Sequence, residues 1–253
     1  MTKEAEISSD KIQVSFSPTI NQIDEIEKWL IAERKKTGEG FYCNWNIIKS
    51  LFQKNQLAAI THNKKAIGFA TWSYTSDLTA RIDIVEIKPT YRNKGIGRAL
   101  IMRLFHFLKE RNICVVGLQC SPSNSEVVWK RLGFIDFPGN PEKYGFYIDE
   151  DKRLYTMLIP PLQPSHDHES YETIELWNDE PYRTKDIQPT YKWHIVFKNG
   201  TRELLKPIIQ PGHYDWRIRW QIKDKIIVDN KVKRFGNEID FGNFIIIKEL
   251  PNL

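Results

Sequence analysis

The spacing of hydrophobic and polar positions changes period within residues 78–108. Residues 78–87 are rich in Ile and Val, alternate in polarity, and stop before Pro89, which cannot donate to a strand ladder. After residue 99, apolar side chains recur at three- and four-residue spacing, as on one face of a helix. These apolar positions are Leu100, Ile101, Leu104, Phe105 and Leu108. The pattern predicts a strand, a glycine-containing loop and an amphipathic helix.

The same two periods organise the rest of the first 160 residues. Strand alternation is expected at 11–16, in two strands within 56–74 that flank a turn at 62–65, and at 113–120, 133–137 and 153–159. Helical spacing is expected at 19–36, at 44–54 and, in a short helix stopped by Gly133, at 123–132. We therefore predict an α/β (α+β) fold with an antiparallel hairpin and one crossover helix.

The last third of the chain has a different pattern. Residues 159–170 contain three prolines followed by a polar run, which is typical of an exposed linker. Beyond it, Asn199-Gly200 lies between alternating segments, and β-branched and aromatic residues dominate without a helical period. We predict two domains, 1–160 and 161–253, of which the second is a small all-β module of five or more strands.

Charge and cysteine usage narrow the class of protein. Residues 1–160 hold 23 Lys and Arg against 18 Asp and Glu, and the remainder is balanced, so the whole formal charge of +5 belongs to the first domain. So small a surplus favours an anionic small ligand and argues against nucleic acid as a partner.

No run is long and apolar enough for a membrane segment or a signal peptide, so we expect a cytoplasmic protein with no membrane partner. Three cysteines at no metal-ligand spacing favour reduced structural thiols. His166 and His168 in the linker could ligate a metal ion, but no further ligands accompany them, so we expect them to be solvated and predict no metal site.

The glycine loop carries the candidate chemistry. A helix N-terminus presents unpaired N–H groups and partial positive charge, and Gly95 and Gly97 would leave an anion free to approach them. Arg92, Lys94 and Arg98 add cations. We interpret the loop as a phosphate site, and the alternative is a connection whose glycines only permit tight turning. The Gly-Lys-Ser/Thr of a Walker A loop is absent, and Leu100 stands where a dinucleotide loop has a third small residue.

This order of elements, with two motifs, resembles the GNAT superfamily of N-acetyltransferases. The residues that match its R/Q-x-x-G-x-G/A acyl-CoA loop are Arg92, Asn93, Lys94, Gly95, Ile96 and Gly97. Residues 123–134 look like the family's short helix followed by Gly-Phe. The resemblance covers roughly residues 10–160 and implies a mixed, mostly antiparallel sheet flanked by helices.

The resemblance also implies a donor and its binding residues. The donor would be acetyl-CoA, with its pyrophosphate on the amides of Asn93 to Arg98 and its pantetheine arm paired with the backbone of Val85 and Ile87. The family's short-helix asparagine would correspond to Asn124, although strict register puts Pro122 at that position.

Two residues are candidates for proton transfer. Glu86, at the end of the loop-bearing strand, is the candidate base, and its alternative is a surface carboxylate paired with Lys88 or Arg81. Strand alternation places Asp83 on the opposite face. Many family members have a tyrosine acid where this chain has Trp129, and indole cannot serve as that acid. Tyr144, Tyr147 and Tyr155 are the available phenols, and Tyr147 is our candidate.

The resulting hypothesis is an enzyme that transfers acetyl from acetyl-CoA to a primary amine by direct attack. The amine is a small molecule or a peptide, and the β module would serve acceptor choice or self-association as a homodimer. The alternative, favoured by Trp129, is a non-catalytic acyl-CoA-binding or scaffold protein whose β module recruits a partner. Aromatic residues admit two interpretations, as pocket walls or as core. These are Trp29, Trp45, Phe52 and Trp72 in the first domain and Trp177, Trp193, Trp216 and Trp220 in the second.

Overall fold

A computed structural model describes residues 12–138, 152–165 and 171–252. These residues fall into two compact units. The first unit contains 12–75, 79–136 and 152–158, and the second contains 76–78, 137–138, 159–165 and 171–252.

The first unit is a seven-stranded sheet flanked by helices. Its strands are β1 (Ile12–Ser15), β2 (Leu57–His62), β3 (Lys65–Tyr74), β4 (Thr79–Ile87), β5 (Val115–Gln119), β6 (Ile135–Asp136) and β7 (Arg153–Met157), in the order β1-β2-β3-β4-β5-β7-β6. Its helices are α1 (Ile20–Thr37), α2 (Trp45–Gln53), α3 (Ile96–Lys109) and α4 (Glu126–Arg131). Among the described strands, only β4 and β5 pair in parallel, and the crossover between them is α3. The predicted mixed, mostly antiparallel α/β fold is confirmed.

Local sequence signals fix the ends of several of these elements. Thr19 caps α1 in a reciprocal capping box with Gln22, and Gly38 ends the helix at φ +76°. The β2–β3 hairpin turns at Asn63 and Lys64, both at positive φ, as a two-residue turn matching the strand twist requires.

Each face of the sheet buries its own core. On one face, α1 and α2 cover an α1-side core that includes Ile26, Leu30, Phe69 and Ile84. On the other, α3 covers an α3-side core that includes Trp72, Ile82, Ile87, Leu100 and Leu104. Trp29 and Trp72 are buried in these cores.

The described residues of the second unit form two antiparallel sheets and no α-helix, which confirms the all-β prediction. Its strands are β8 (Glu172–Leu176), β9 (Tyr191–His194), β10 (Glu203–Pro211), β11 (Arg217–Ile222), β12 (Lys225–Lys231), β13 (Ile239–Phe241) and β14 (Phe244–Glu249). One sheet has the order β12-β11-β8-β9 and the other β10-β14-β13. Trp177, Trp193 and Trp220 are buried, which favours the core interpretation of these aromatics.

Candidate functional site

Strand β4 lacks a partner along half of one side. Its pairing with β5 runs from Thr79 opposite Val115 to Ile82 opposite Leu118. From residue 83 to residue 87 β4 continues, and within the described residues no strand pairs with it on this side. An open strand edge presents backbone N–H and C=O groups to which an extended ligand can bind.

A β-bulge lies where this pairing stops. Opposite β3, Ile82 pairs with Trp72 and Ile84 pairs with Thr71, so Asp83 is the additional residue of β4. As a result, Ile82 lies in the α3-side core and Ile84 in the α1-side core. The bulge therefore changes which side chains face α1 along the open half of the strand.

Asp83 and Glu86 lie on the same face of the sheet. Asp83 accepts a hydrogen bond from Ser73, which alternation along β3 places opposite Trp72 and so on the α1 side. Glu86 is two residues beyond Ile84 and also faces α1. The expectation that the two carboxylates face opposite ways is wrong, because the bulge breaks the alternation.

The loop between β4 and α3 presents a row of free amide groups. Asn93 and Gly95 have φ of +61° and +76°, and the first helical hydrogen bond joins the Ala99 N–H to the Gly95 carbonyl. Among the described residues, the N–H groups of 93–98 donate to no acceptor of the chain. This row begins a helix of 14 residues and carries the positive end of its dipole. Lys94 and Arg98 are exposed beside it.

Gly95 and Gly97 are glycines for different reasons. Gly95 caps α3 in the left-handed conformation, which disfavours any other residue. Gly97 has no such conformation, and a Cβ added there would meet only Ile87 Cγ1 at an ordinary 3.6 Å. Neither backbone nor packing requires glycine at 97. A ligand that approaches the amide row closely would require it.

Arg92 is bound to the protein through its backbone N–H, its Nε and its Nη2. Its Nε donates to the Ile87 carbonyl at 2.8 Å, and its Nη2 donates to Glu33 Oε1 at 2.5 Å and to Glu86 Oε1 at 2.8 Å. Its backbone N–H donates to the Pro89 carbonyl. Through these bonds, Arg92 anchors the start of the loop to β4 and α1.

Glu86 is a buried carboxylate at the open edge. Its side chain is 12% exposed, and its Oε1 accepts the Ile87 N–H at 3.0 Å as well as the Arg92 bond. Burial raises the pKa of Glu86 above its ordinary value; Arg92 opposes the rise and Glu33 adds to it. The alternative pairing with Lys88 or Arg81 is wrong, because Arg92 occupies Glu86 and Arg81 pairs with Asp83 at 2.8 Å.

Trp129, the candidate cofactor contact Asn124 and Tyr155, one of the available phenols, lie on different elements. Trp129 on α4 is half-buried and packs edge-on against Phe134, with ring centroids 5.3 Å apart. Asn124 is exposed in the turn that follows β5. Tyr155 is buried on β7 opposite Gly117. Tyr144 and Tyr147 lie outside the described residues, as do His166 and His168.

Glu33 was not predicted from the sequence. It lies on α1 with a side chain only 8% exposed, 59 residues from the Arg92 that it binds. No local motif distinguishes Glu33 from the other glutamates of α1, and a glutamate in an amphipathic helix is usually solvated. Its position one turn after the apolar residue Leu30 is a weak indication that it faces the sheet.

The described residues contain neither a candidate metal-ligand group nor a candidate membrane-spanning helix. In the three described segments, no group of three or more His, Cys, Asp or Glu side chains is placed to hold a metal ion. None of the helices in those segments has both the length and the apolar content needed to cross a bilayer.

Comparison with known proteins identifies this region. Residues 22–134, which contain the open strand, the loop and α3, match the model of the Acetyltransferase (GNAT) family. This region is a GNAT acetyltransferase domain. The resemblance inferred from the two motifs is confirmed for this region.

Individual proteins are similar to parts of this chain. The uncharacterized N-acetyltransferase ycf52 of Pyropia yezoensis is 34% identical over 97 residues, which cover 38% of this chain and 51% of that protein. The chain thus matches about half the length of this relative. Among solved structures, Ard1 from Thermoplasma volcanium has 19% identity and a TM-score of 0.46, covering 59% of this chain and 99% of that one. The PaiA N-acetyltransferase of Thermoplasma acidophilum, solved with coenzyme A, has 18% identity and a TM-score of 0.42, covering 58% and 98%.

Proposed function

We propose that this protein transfers an acetyl group from acetyl-CoA to a primary amine. The observation that carries the proposal is the row of free amide groups at 93–98, directly after the open edge of β4. Glycine at 97, which the fold itself does not need, supports close approach of a ligand to that row. The family match over 22–134 supports the chemistry, and a protein similar over 97 residues bears the name N-acetyltransferase.

The donor would lie along β4 and end on α3. The amides of 93–98 would bind its pyrophosphate, with Lys94 and Arg98 contributing positive charge at the exposed rim. The backbone of Val85 and Ile87, on the side of β4 that β5 leaves open, would pair with the pantetheine arm. Asn124 is the candidate contact after β5, and Arg92 would act by anchoring the loop.

The transfer would proceed by direct attack on the thioester. The amine nitrogen forms the new bond to the acetyl carbon, the carbon–sulfur bond breaks, and the amine loses a proton. Glu86 would take that proton, because burial has already raised its pKa toward neutrality. The departing thiolate would be protonated by a phenol, for which Tyr147 remains the candidate, or by solvent.

The two domains would have different functions. We propose that residues 1–160 bind the donor and that the β module at 161–253 serves acceptor choice or self-association as a homodimer. Each unit has its own core, as expected of segments that fold separately. A chain ending after Leu162 should remain soluble and bind acetyl-CoA, and loss of either property would contradict the division.

The experiment is calorimetry with acetyl-CoA on the full chain, followed by release of free CoA across a panel of amines and peptides. Binding and acceptor-dependent release of thiol are expected. No binding at millimolar donor would overturn the proposal. Binding without release on any acceptor would favour the non-catalytic alternative, which Trp129 in place of a phenol supports.

A further inference from the structure

The open edge of β4 is already partly occupied by side chains of the protein itself. The N–H of Ile87 donates to Glu86 Oε1 at 3.0 Å, and the Ile87 carbonyl accepts from Arg92 Nε at 2.8 Å. Neither group is used by β3, which instead receives the following N–H, from Lys88 to the Ile67 carbonyl. Glu86 and Arg92 thus stand where a strand partner or an extended ligand would bind.

Arg92 also ties Glu86 to a second carboxylate. Its Nη2 bridges Glu86 and Glu33, so two carboxylates with side chains 12% and 8% exposed share one guanidinium. The two carboxylates hold Nη2 of Arg92 at 2.5 Å and 2.8 Å and so fix the position of the guanidinium. Charge-assisted hydrogen bonds of this kind are the strong ones in proteins.

Glu33 is fixed by its surroundings. Its Oε2 is buried without a hydrogen-bond partner, and a Cβ added at Gly40 would lie 3.8 Å from it. The carboxylate is therefore packed against the start of the connection between α1 and α2. This packing and the bond to Arg92 restrict where the Glu33 side chain can lie.

We propose that Glu33 is a positioning residue which, through Arg92, holds the Glu86 carboxylate on the Ile87 N–H until the acyl donor binds. The donor needs the same N–H, so its binding detaches Glu86 and leaves the carboxylate free as the base beside the thioester. The protein would then bind donor before it becomes competent to deprotonate the acceptor. This inference rests on the proposed function and adds a regulation of the same site.

The competition can be measured with coenzyme A alone. Calorimetry on the full chain should show that Glu86→Ala binds coenzyme A about threefold to tenfold more tightly than wild type, because a competing hydrogen bond is removed. Glu86→Gln keeps an acceptor oxygen without the charge and should fall between the two. Asp24→Ala removes an exposed carboxylate from the same helix as Glu33 and should leave the affinity unchanged.

The outcomes separate this inference from the proposed function. A wild type that does not bind coenzyme A contradicts the proposed function itself. A wild type that binds, with Glu86→Ala equal to it or weaker, overturns the competition while leaving the donor site intact. Thermal unfolding of each variant establishes that the fold is retained.

The role of Glu33 is tested by pH. In the described part of the chain, the charged groups that act on Glu86 are Arg92 from the loop and Glu33 from α1. The quantity to follow is the association constant of wild type for coenzyme A divided by that of Glu86→Ala. Because coenzyme A titrates equally in both measurements, its own protonation cancels in this ratio. The ratio should fall as pH rises, since the competing Glu86 carboxylate becomes charged. Glu33→Gln removes a neighbouring negative charge, so this fall should move to lower pH. At pH values where this fall is complete, Glu33→Gln should also bind coenzyme A more tightly than wild type, because Arg92 is no longer anchored to α1 and holds Glu86 less firmly. Wild-type affinity in Glu33→Gln at those pH values would overturn the positioning role.

Discussion

The amide row in the loop before α3 lacks hydrogen-bond partners within the described chain, whereas buried charged groups inside the second unit have them. In the loop, the amides of 93–98 have no acceptor from the described chain, and Gly97 is required by neither conformation nor packing. In the second unit, buried Glu172 accepts two hydrogen bonds from Arg202 and one from Trp220. The loop leaves its polar groups to solvent or a ligand, whereas the second unit satisfies buried charge from within.

The difference separates polar groups that stabilise a fold from polar groups available to a ligand. A buried charge must be paired, since removing one partner leaves the other uncompensated in a medium of low dielectric. Amides at an exposed helix N-terminus have no such requirement, because water satisfies them until an anion replaces it. Substitutions in the two regions should therefore change different measured quantities.

The largest expected effect is on the stability of the second unit. Glu172→Ala should lower the free energy of unfolding by about 3–5 kcal/mol, because it leaves Arg202 and the Trp220 N–H without their shared acceptor. Denaturant unfolding of the full chain measures this change. The donor affinity of the first unit should stay at its wild-type value under native conditions.

Glu203→Ala is the matched control for that substitution. Glu203 pairs with Lys198 at the surface, where both side chains are about half exposed, and such pairs contribute roughly 0–1 kcal/mol. If the Glu172 and Glu203 variants lose equal stability, the buried ion pair stabilises the fold no more than an exposed one. The proposed contrast between the second unit and the loop would then be wrong.

Next in size is the effect of a negative charge on the amide row. Gly97→Glu should weaken coenzyme A binding at least about a hundredfold, roughly 2.7 kcal/mol, since a carboxylate would occupy and repel the place of the pyrophosphate. Calorimetry measures the loss. Unfolding should be little affected, because a Cβ at 97 makes only ordinary contact with Ile87.

Gly242→Glu adds the same charge where a Cβ meets nothing within 4 Å, and it should leave binding unchanged. Wild-type affinity in Gly97→Glu would mean that the amide row does not bind the donor. Loss of folding in that variant would instead mean that glycine at 97 serves packing.

The sequence predicted the loop and α3 because their signals are local. Polarity alternation in β4, the paired glycines and the apolar spacing of α3 all lie within one short stretch, and backbone sterics determine their conformations. The same holds for the β2–β3 turn, where Asn63 and Lys64 take positive φ. Local patterns were sufficient for the helices and strands around this loop, where we propose that the donor binds.

The side-chain geometry around Glu86 could not be predicted in this way. Arg92 appeared to be one of three loop cations, yet it is bound to Glu33 across 59 residues, a contact that only the packing of α1 on the sheet creates. The bulge at Asp83 has no signal in the residue pattern, and it reversed the expected face of that carboxylate. Pairing over long separations and changes of register are both set by tertiary structure.

The smallest expected effect is on the pH dependence of stability, to which the carboxyl groups of Glu86 and Asp229 contribute in opposite directions. Burial raises the pKa of Glu86 above 4.5, so the folded protein holds this proton more tightly than the unfolded chain does. Its charged form therefore weakens the fold as pH rises from 4.5 through the raised pKa. Burial alone would also raise the pKa of Asp229, but hydrogen bonds from Arg217 and Arg219 outweigh it and hold that pKa below 3.8. Its contribution to stability is present above 3.8 and is lost as pH falls through the folded pKa.

Unfolding of the full chain from acid to neutral pH, in Glu86→Gln and in Asp229→Asn, measures both dependences. Relative to wild type, Glu86→Gln should gain stability as pH rises above 4.5, because the neutral amide avoids burying a charge. Asp229→Asn should show its largest deficit near neutral pH, and the deficit should shrink on acidification below 3.8, where the wild-type carboxyl also loses its charge. If both variants changed in the same direction with pH, the contrast between the two regions would not extend to their titrating groups. Opposite directions would show that the carboxylate at the open strand edge is held at a cost to stability, as expected of a group that serves a ligand rather than the fold.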